Sequence, residues 1–427
     1  MKRLLLLLRS ETYRAADFLA AAGKLGVELV VASDRPNVLA ELGKGSTLDV
    51  DFSAPEAATE KILAVHGARP LDAVLAAEQE GTLLAAQASA ALGLATNPAE
   101  AVASAHNKAV FREICAAAGL AAPWFRQFDL SEDPAAVARQ VPFPCVLKPL
   151  FLSASRGVIR ANDPVEFAAA WRRIAKILAE PDLRARGGRD AESLLVESFL
   201  PGAEVALEGM IVAREFRLLA FFDKPEPLNG PFFEETLLVT PSRHPRAWQR
   251  AALQAAAQAT TALGLRTGPV HVELRLNEGR ATVLELSPRT IGGHCSRSLR
   301  FGAGMSLEEL VLRQALGLEG GSSERERSAA GVMMIPIPGE GLLMGVHGLE
   351  EARRVRGIEG VEITIPLTQP VVPLPEGNRY LGFIFSRAEK PEQAEAALRE
   401  AHGFLRFDLR PQNADLSGLA PEGNAVA

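Results

Sequence analysis

His271-Val-Glu-Leu-Arg-Leu276, then Asn277-Glu-Gly279, then Thr282-Val-Leu-Glu-Leu-Ser-Pro-Arg289 has the pattern of a β-hairpin. Alternation sends Val272, Leu274 and Leu276 to one face and His271, Glu273 and Arg275 to the other, with turn chemistry between the strands. On the second strand the same period predicts that Val283 and Glu285 share a face. Pairing then brings Glu273 and Glu285 together beside Arg289. Two carboxylates so placed suit one Mg²⁺ (or Mn²⁺), which takes hard oxygen ligands and leaves positions for phosphate oxygens. Two glutamates on the wet side of a half-solvated hairpin are the plain alternative.

The chain around this hairpin has 427 residues, which suits three or four modules of about 100 to 150 residues. Its net charge is −6, with acidic and basic residues interspersed, so it offers no basic stripe and nucleic acid is not an expected partner. Met1-Lys-Arg-Leu-Leu-Leu-Leu-Leu-Arg9 has the look of a secretory signal. Its apolar run falls short of the roughly 7 to 15 residues of a signal core, and it reads as a buried first strand. No run reaches the ~18 apolar residues of a membrane span. Cys115, Cys145 and Cys295 are scattered without metal-site spacing. A cytoplasmic, reduced protein with no membrane partner is expected.

The expected fold class is α/β and α+β multidomain. Residues 1–97 alternate apolar strands with alanine-rich helices and predict an N-terminal open parallel α/β domain. It lacks Gly-x-Gly-x-x-Gly, and Leu42-Gly-Lys-Gly-Ser-Thr47 misses the Walker spacing, leaving Lys44 as a loop lysine. After Asn97-Pro98 a helix is predicted from about Ala99 to Ala118, ending at Gly119. Residues 98–193 read as a helical linker and small lobe, and residues 194–316 as a larger lobe carrying the hairpin. Within the latter, 223–246 has no periodicity and is a predicted loop. A Gly/Ser/Glu linker follows at 317–327, then a separate small C-terminal α/β domain at 328–412 and a disordered tail at 413–427.

Lysine is scarce beside arginine in this chain, so lysines within motifs stand out. Lys148 lies in the apolar strand Cys145-Val-Leu-Lys-Pro149, where an ammonium is costly unless an anion meets it. Lys108 opens a helix in Asn107-Lys-Ala-Val-Phe-Arg112. Phe151-Leu-Ser-Ala-Ser-Arg-Gly157 offers N–H groups and the hydroxyls of Ser153 and Ser155 as an anion cradle. Leu194-Leu-Val-Glu-Ser-Phe-Leu-Pro-Gly-Ala-Glu204 is a strand followed by a turn.

Taken in this order with Glu-x-Ser-Pro-Arg at 285–289, these motifs resemble the ATP-grasp superfamily and imply its two-lobed core. The resemblance implies Lys108 and Lys148 on the phosphates of ATP, with Ser153 and Ser155 closing over them. It puts Glu197, Ser198 and Leu200 at the adenine edge and Glu204 on the ribose hydroxyls. Glu273, Glu285 and Ser287 would hold Mg²⁺, Ser287 standing where the family usually has a metal-coordinating asparagine. Phe222-Asp-Lys-Pro-Glu-Pro-Leu-Asn-Gly-Pro-Phe-Phe-Glu-Glu235 and the C-terminal unit resemble the L-amino-acid ligase and carnosine synthase branch. That implies a carboxylate–amine ligase working through an acyl phosphate on small-molecule carboxylate and amine substrates, and a homodimer. Arg289 would hold the acceptor carboxylate and the oxyanion, with Lys224, Glu234, Gly293 and His294 near the substrates. Two rival readings are a carboxylase-like ATP-grasp ligase and a catalytically decayed ATP-binding regulatory protein. The second draws on Ser287 and on the glycine-poor phosphate loop.

Overall fold

The computed structural model describes residues 1–10, 12–35 and 46–411. Lys44 and the tail expected at 413–427 lie outside the described residues. Strands β1 (Arg3–Leu7), β2 (Glu28–Ser33), β3 (Ser46–Asp49) and β4 (Ala73–Ala76) form a parallel sheet in the order β3-β2-β1-β4. Leu4 and Leu6 pack towards helix α1 (Ala15–Leu25), while Leu5 and Leu7 pack towards α2 (Pro55–Ala68) and α3 (Gln79–Ala91). All four leucines are fully buried. A strand covered on both faces shows no alternation, which accounts for the signal-like leucine run.

The single helix expected over 99–118 is two, α4 (Ala99–His106) and α5 (Lys108–Ala117). Asn107 between them is extended, and its side-chain oxygen accepts from the N–H groups of Ala109 and Val110. It thereby ends one helix and caps the next.

The small lobe is a sheet of β5 (Phe125–Asp129), β6 (Cys145–Pro149), β7 (Ile159–Ala161) and β8 (Ser193–Ser198), ordered β5-β8-β6-β7. The helix Pro164–Leu178 supplies much of its core. The run expected to open the larger lobe at 194 therefore lies inside the small-lobe sheet, and the boundary falls after Ser198. A run as short as Leu194-Leu-Val196 does not reveal which sheet it will join.

The large sheet contains β9 (Ala203–Val212), β10 (Glu215–Asp223), β11 (Leu237–Thr240), β12 (Gly268–Asn277) and β13 (Arg280–Ser287). It continues into β14 (Ala329–Ile335), and then, beyond β15 (Gly341–His347), into β16 (Ile358–Ile363) and, beyond β17 (Pro370–Val371), into β18 (Gly382–Ala388). The order is β13-β12-β9-β10-β11-β14-β18-β16. Two expectations are corrected here. Residues 223–246 are not all loop, because β11 pairs with β10 on one side and β14 on the other. Through β11 the C-terminal residues extend the large-lobe sheet rather than forming a separate unit. Four buried residues are too few to display a period. β15 and β17 join β19 (Arg406–Arg410) in a three-stranded sheet that the sequence reading did not find.

Candidate active site

A cavity of about 1460 Å³ is lined by the parallel domain, both lobes and residues 364–383. That exceeds the roughly 300–1,000 Å³ of a single small-molecule pocket, leaving space for a nucleotide and further substrates.

β12 behaves as its alternation predicts: Val272, Leu274 and Leu276 enter the core, and His271, Glu273 and Arg275 line the cavity. β13 departs from expectation. Glu285 lies opposite Glu273, but Val283 rather than Leu284 lies opposite Leu274. Leu284 is thus the extra residue of a β-bulge, which shifts the alternation by one. Val283 and Leu286 pack into the core while Glu285 faces the cavity. Val283 and Glu285 therefore do not share a face, and it is the bulge that allows one strand to fill the core and to present a carboxylate opposite Glu273.

At the hinge end, Glu197 is buried and meets two cations, Arg112 Nε at 2.6 Å and Lys148 Nζ at 2.5 Å. Burial opposes its ionisation, yet the charges of Arg112 and Lys148 and their hydrogen bonds hold its pKa down to about 2. Lys108 Nζ donates to the Leu152 carbonyl at 2.7 Å and pairs with Glu285 at 3.0 Å. Ser153, Ser155, Ser198 and Leu200 line the same end. The 153–157 loop is tied to the C-terminal region, since the Gly157 N–H donates to the Pro375 carbonyl and Arg156 Nε to that of Glu376.

Beside these groups the lining is acidic. One oxygen from each of Glu204, Glu235 and Glu273 lies within 4.8 Å of the others. Lys224 is buried behind them, pairing with Glu204 at 2.8 Å, with Glu273 at 3.5 Å and with Glu235. Burial disfavours its charge, but the three carboxylates raise its pKa well above the lysine range. Arg275 adds a contact to Glu204 at 3.1 Å. Burial and the negative charge of Glu273 push Glu235 up. His271 is held up to about 9, because hydrogen bonds to Glu208 and Glu273 outweigh its burial.

The oxygens present fit a hard divalent cation. Glu273 and Glu285 are directly opposed, and their side chains retain 24% and 25% exposure towards the cavity. Ser287 lines the cavity beyond Glu285, with Oγ 3.4 Å from Gln79 Oε1. Arg289 lines it too, spending one N–H on the Thr290 carbonyl at 2.7 Å.

Three expected substrate residues are displaced. Lys224 is a buried counter-ion that does not line the cavity. Glu234 points to the Ile337 backbone, and its neighbour Glu235 lines the cavity instead. The segment before β11 follows no regular period, so an error of one position changes the side. His294 is buried between Asp17 at 3.5 Å, the ring of Tyr13 and that of Phe383, where it joins the parallel domain to the C-terminal region. Gly293 does line the cavity, and a side chain there would meet Phe383.

Arg112, Glu235 and His106 are functional residues absent from the expected set. Arg112 follows Lys108 by one helical turn, a spacing that was available. His106 lines the cavity with Nε2 2.7 Å from Thr82 Oγ1, and burial lowers its pKa to about 4.

With parallel domain, hinge, opposed glutamates and paired lysines in place, the chain belongs to the ATP-grasp superfamily. The ATP-grasp N-terminal domain matches residues 19–96 and the ATP-grasp domain residues 141–298. Within the superfamily it is similar to L-amino acid ligases, and the L-amino acid ligase C-terminal domain 2 matches residues 333–410. The crystal structure of L-amino acid ligase from Bacillus licheniformis superposes with a TM-score of 0.81 at 25% identity, covering 96% of this chain and 99% of that one. Alanine–anticapsin ligase of Bacillus amyloliquefaciens is 25% identical over 61% of this chain and 58% of its own length. Carnosine synthase 1 of Gallus gallus is 29% identical over 52% of this chain and 24% of its own. The chain thus spans less than two thirds of the length of these curated relatives.

Proposed function

We propose that the protein is an ADP-forming ligase that joins the carboxylate of one small molecule to the amine of another, at least one being an amino acid. One observation carries this reading: a single cavity holds Lys108 and Lys148, the opposed pair Glu273–Glu285, and Arg289. The similarity to L-amino acid ligase supports it.

In this reading the backbone at Glu197, Ser198 and Leu200 takes the adenine edge, and Glu204 the ribose hydroxyls. Lys148 keeps one N–H on Glu197 and turns the rest of its donors to phosphate. Lys108, Ser153 and Ser155 complete the cradle. Mg²⁺ bound to Glu273 and Glu285, with Ser287 as a neighbouring oxygen, supplies neutralisation of the polyphosphate charge.

The substrate carboxylate attacks the γ-phosphorus of ATP, the bond to the bridging oxygen breaks, and ADP leaves with that electron pair. An amine nitrogen then adds to the acyl-phosphate carbon. The C–O bond to phosphate breaks, and the nitrogen loses a proton. Phosphoryl transfer needs positioning and charge neutralisation more than covalent help, so no nucleophilic side chain is required. Arg289 has N–H groups left for the acceptor carboxylate and the tetrahedral oxyanion. Glu78 and Glu80 line the wall given by the parallel domain, chemistry suited to a substrate ammonium. We place the reaction in the cytoplasm, where the three buried free thiols stay reduced, and assign a homodimer, to be checked by light scattering.

The test is ADP and phosphate release with Mg²⁺-ATP across amino acids supplied singly and in pairs, with bicarbonate as a separate arm and mass spectrometry of products. A condensed mass accompanying ADP establishes amide ligation. Turnover with bicarbonate alone would favour the carboxylase-like reading. Nucleotide binding with no turnover in any arm would favour the regulatory one.

A further inference from the structure

Arg112 does not line the cavity, yet its guanidinium joins two of the cavity's working parts. Nε donates to Glu197, Nη1 to the Val283 carbonyl at 2.6 Å and Nη2 to the Leu284 carbonyl at 3.2 Å. Val283 and Leu284 sit at the bulge that turns Glu285 into the cavity. A bulge interrupts the ladder and leaves backbone groups to be satisfied elsewhere. Two adjacent carbonyls and a carboxylate suit the planar fork of an arginine, whereas a lysine is a single point donor.

The same helix grips Glu285 a second time. Lys108 lies four residues before Arg112, so both project from one face of α5, and Lys108 pairs with the Glu285 carboxylate. One turn of helix thus holds Glu285 by its strand's backbone and by its side chain. Asn107 anchors that turn, capping α5 and donating through Nδ2 to Asp190 at 2.9 Å. Through Glu197, Arg112 also fixes the carboxylate to which Lys148 is bound.

We propose that Arg112 is a positioning residue that sets the Glu285 carboxylate and the Lys148 ammonium in a fixed mutual arrangement by clasping the bulge and Glu197 with one guanidinium. The inference rests on the nucleotide and metal reading of the cavity. Disturbing Arg112 disturbs both partners at once, although neither is changed.

The experiment compares the wild type with Arg112→Lys and Arg112→Gln, using calorimetry of ADP binding over a range of Mg²⁺ concentrations. Both variants are expected to bind Mg²⁺-ADP about 10- to 100-fold more weakly and to need correspondingly more Mg²⁺, the range seen when partners of metal ligands are removed. Lysine should not rescue, although it keeps the charge. A merely structural role would lower the melting temperature and leave the Mg²⁺ dependence of the folded variant unchanged, and that result overturns the proposal. A wild type that binds no nucleotide would sink the underlying reading as well.

Because a variant that loses its fold reports nothing on binding, the wild type supplies an independent arm. Adenosine has no phosphate to reach Lys148 or Glu285, yet it should slow amide exchange at 282–287 together with 194–199. Slowing confined to 194–199 overturns the coupling.

Discussion

At the hinge, one carboxylate, Glu197, is shared by two cations, Arg112 and Lys148. Along the same cavity, one ammonium, Lys224, is shared by three carboxylates, Glu204, Glu235 and Glu273. Both clusters use the same chemical groups, but their balance is opposite. The first carries surplus positive charge and attracts phosphate. The second groups three carboxylates around Lys224, with Arg275 and His271 completing the formal charge balance, and its carboxylate oxygens suit a metal cation or an ammonium. Ion pairing in this protein therefore does more than satisfy buried charge, since the group in the majority around each shared partner, cation or carboxylate, sets what that part of the cavity can hold.

The strongest way to break the comparison is at the metal side. Glu285→Ala should lower Mg²⁺-dependent ATP turnover by about 10²- to 10³-fold, comparable to losing a major source of electrostatic stabilisation. The variant should keep its far-ultraviolet dichroism, and turnover within tenfold of wild type would remove Glu285 from that role.

Lys224→Met tests the acidic cluster by removing its internal cation. Breaking a buried pair on one side costs about 3–5 kcal/mol, so the apparent melting temperature should drop. Mn²⁺ should restore more stability to this variant than to the wild type, because the three carboxylates are left facing one another. Equal responses to Mn²⁺ would show that Lys224 does not offset them.

The two clusters should also fail at opposite ends of the pH scale. Glu197 has its pKa held down to about 2. Its contribution is fully present above the ordinary glutamate value and is lost as pH falls through about 2. His271 is held up to about 9. Its contribution is fully present below the ordinary histidine value and is lost as pH rises through about 9. Each amounts to roughly 3 kcal/mol. In metal-free protein, the melting-temperature gap between wild type and Glu197→Gln should close in acid, and that between wild type and His271→Gln should close in base. Parallel pH profiles would contradict the opposed design.

The smallest expected effect is at Ser287. Its hydroxyl is buried beside Gln79, and Ser287→Asn brings a longer oxygen donor towards the carboxylate pair. Half-saturation by Mg²⁺ should fall while kcat stays within about threefold, a change near the level of one modest hydrogen bond. A sharp loss of kcat would mean that the hydroxyl has another task.

Much of this site is written locally. Lys148 before Pro149, Lys108 after Asn107, and the glutamates of 273 and 285 stand in short motifs whose order along the chain already pointed to a nucleotide and a metal. The expectations that failed depended on contacts between distant segments. Glu235 rather than Glu234 lines the cavity, and nothing local reports which side of an irregular segment faces inward. Lys224 and His294, expected near the substrates, are both enclosed by residues from other parts of the chain. The C-terminal region read as separate because the strand linking it to the large lobe is only Leu237–Thr240.

By itself the sequence determined the elements and their chemistry, because alternation, capping and side-chain type act over a few residues. It made β1 apolar throughout, gave β12 its two faces and set Asn107 to restart a helix. Only the tertiary structure decided how these elements combine: the bulge at Leu284 that turns Glu285 opposite Glu273, the guanidinium of Arg112 that supports it, and the grouping of charges around Glu197 and around Lys224. The physical reason is that register and net charge belong to a set of neighbours. Those neighbours here come from positions as far apart as Arg112 and Val283, and folding alone brings them together.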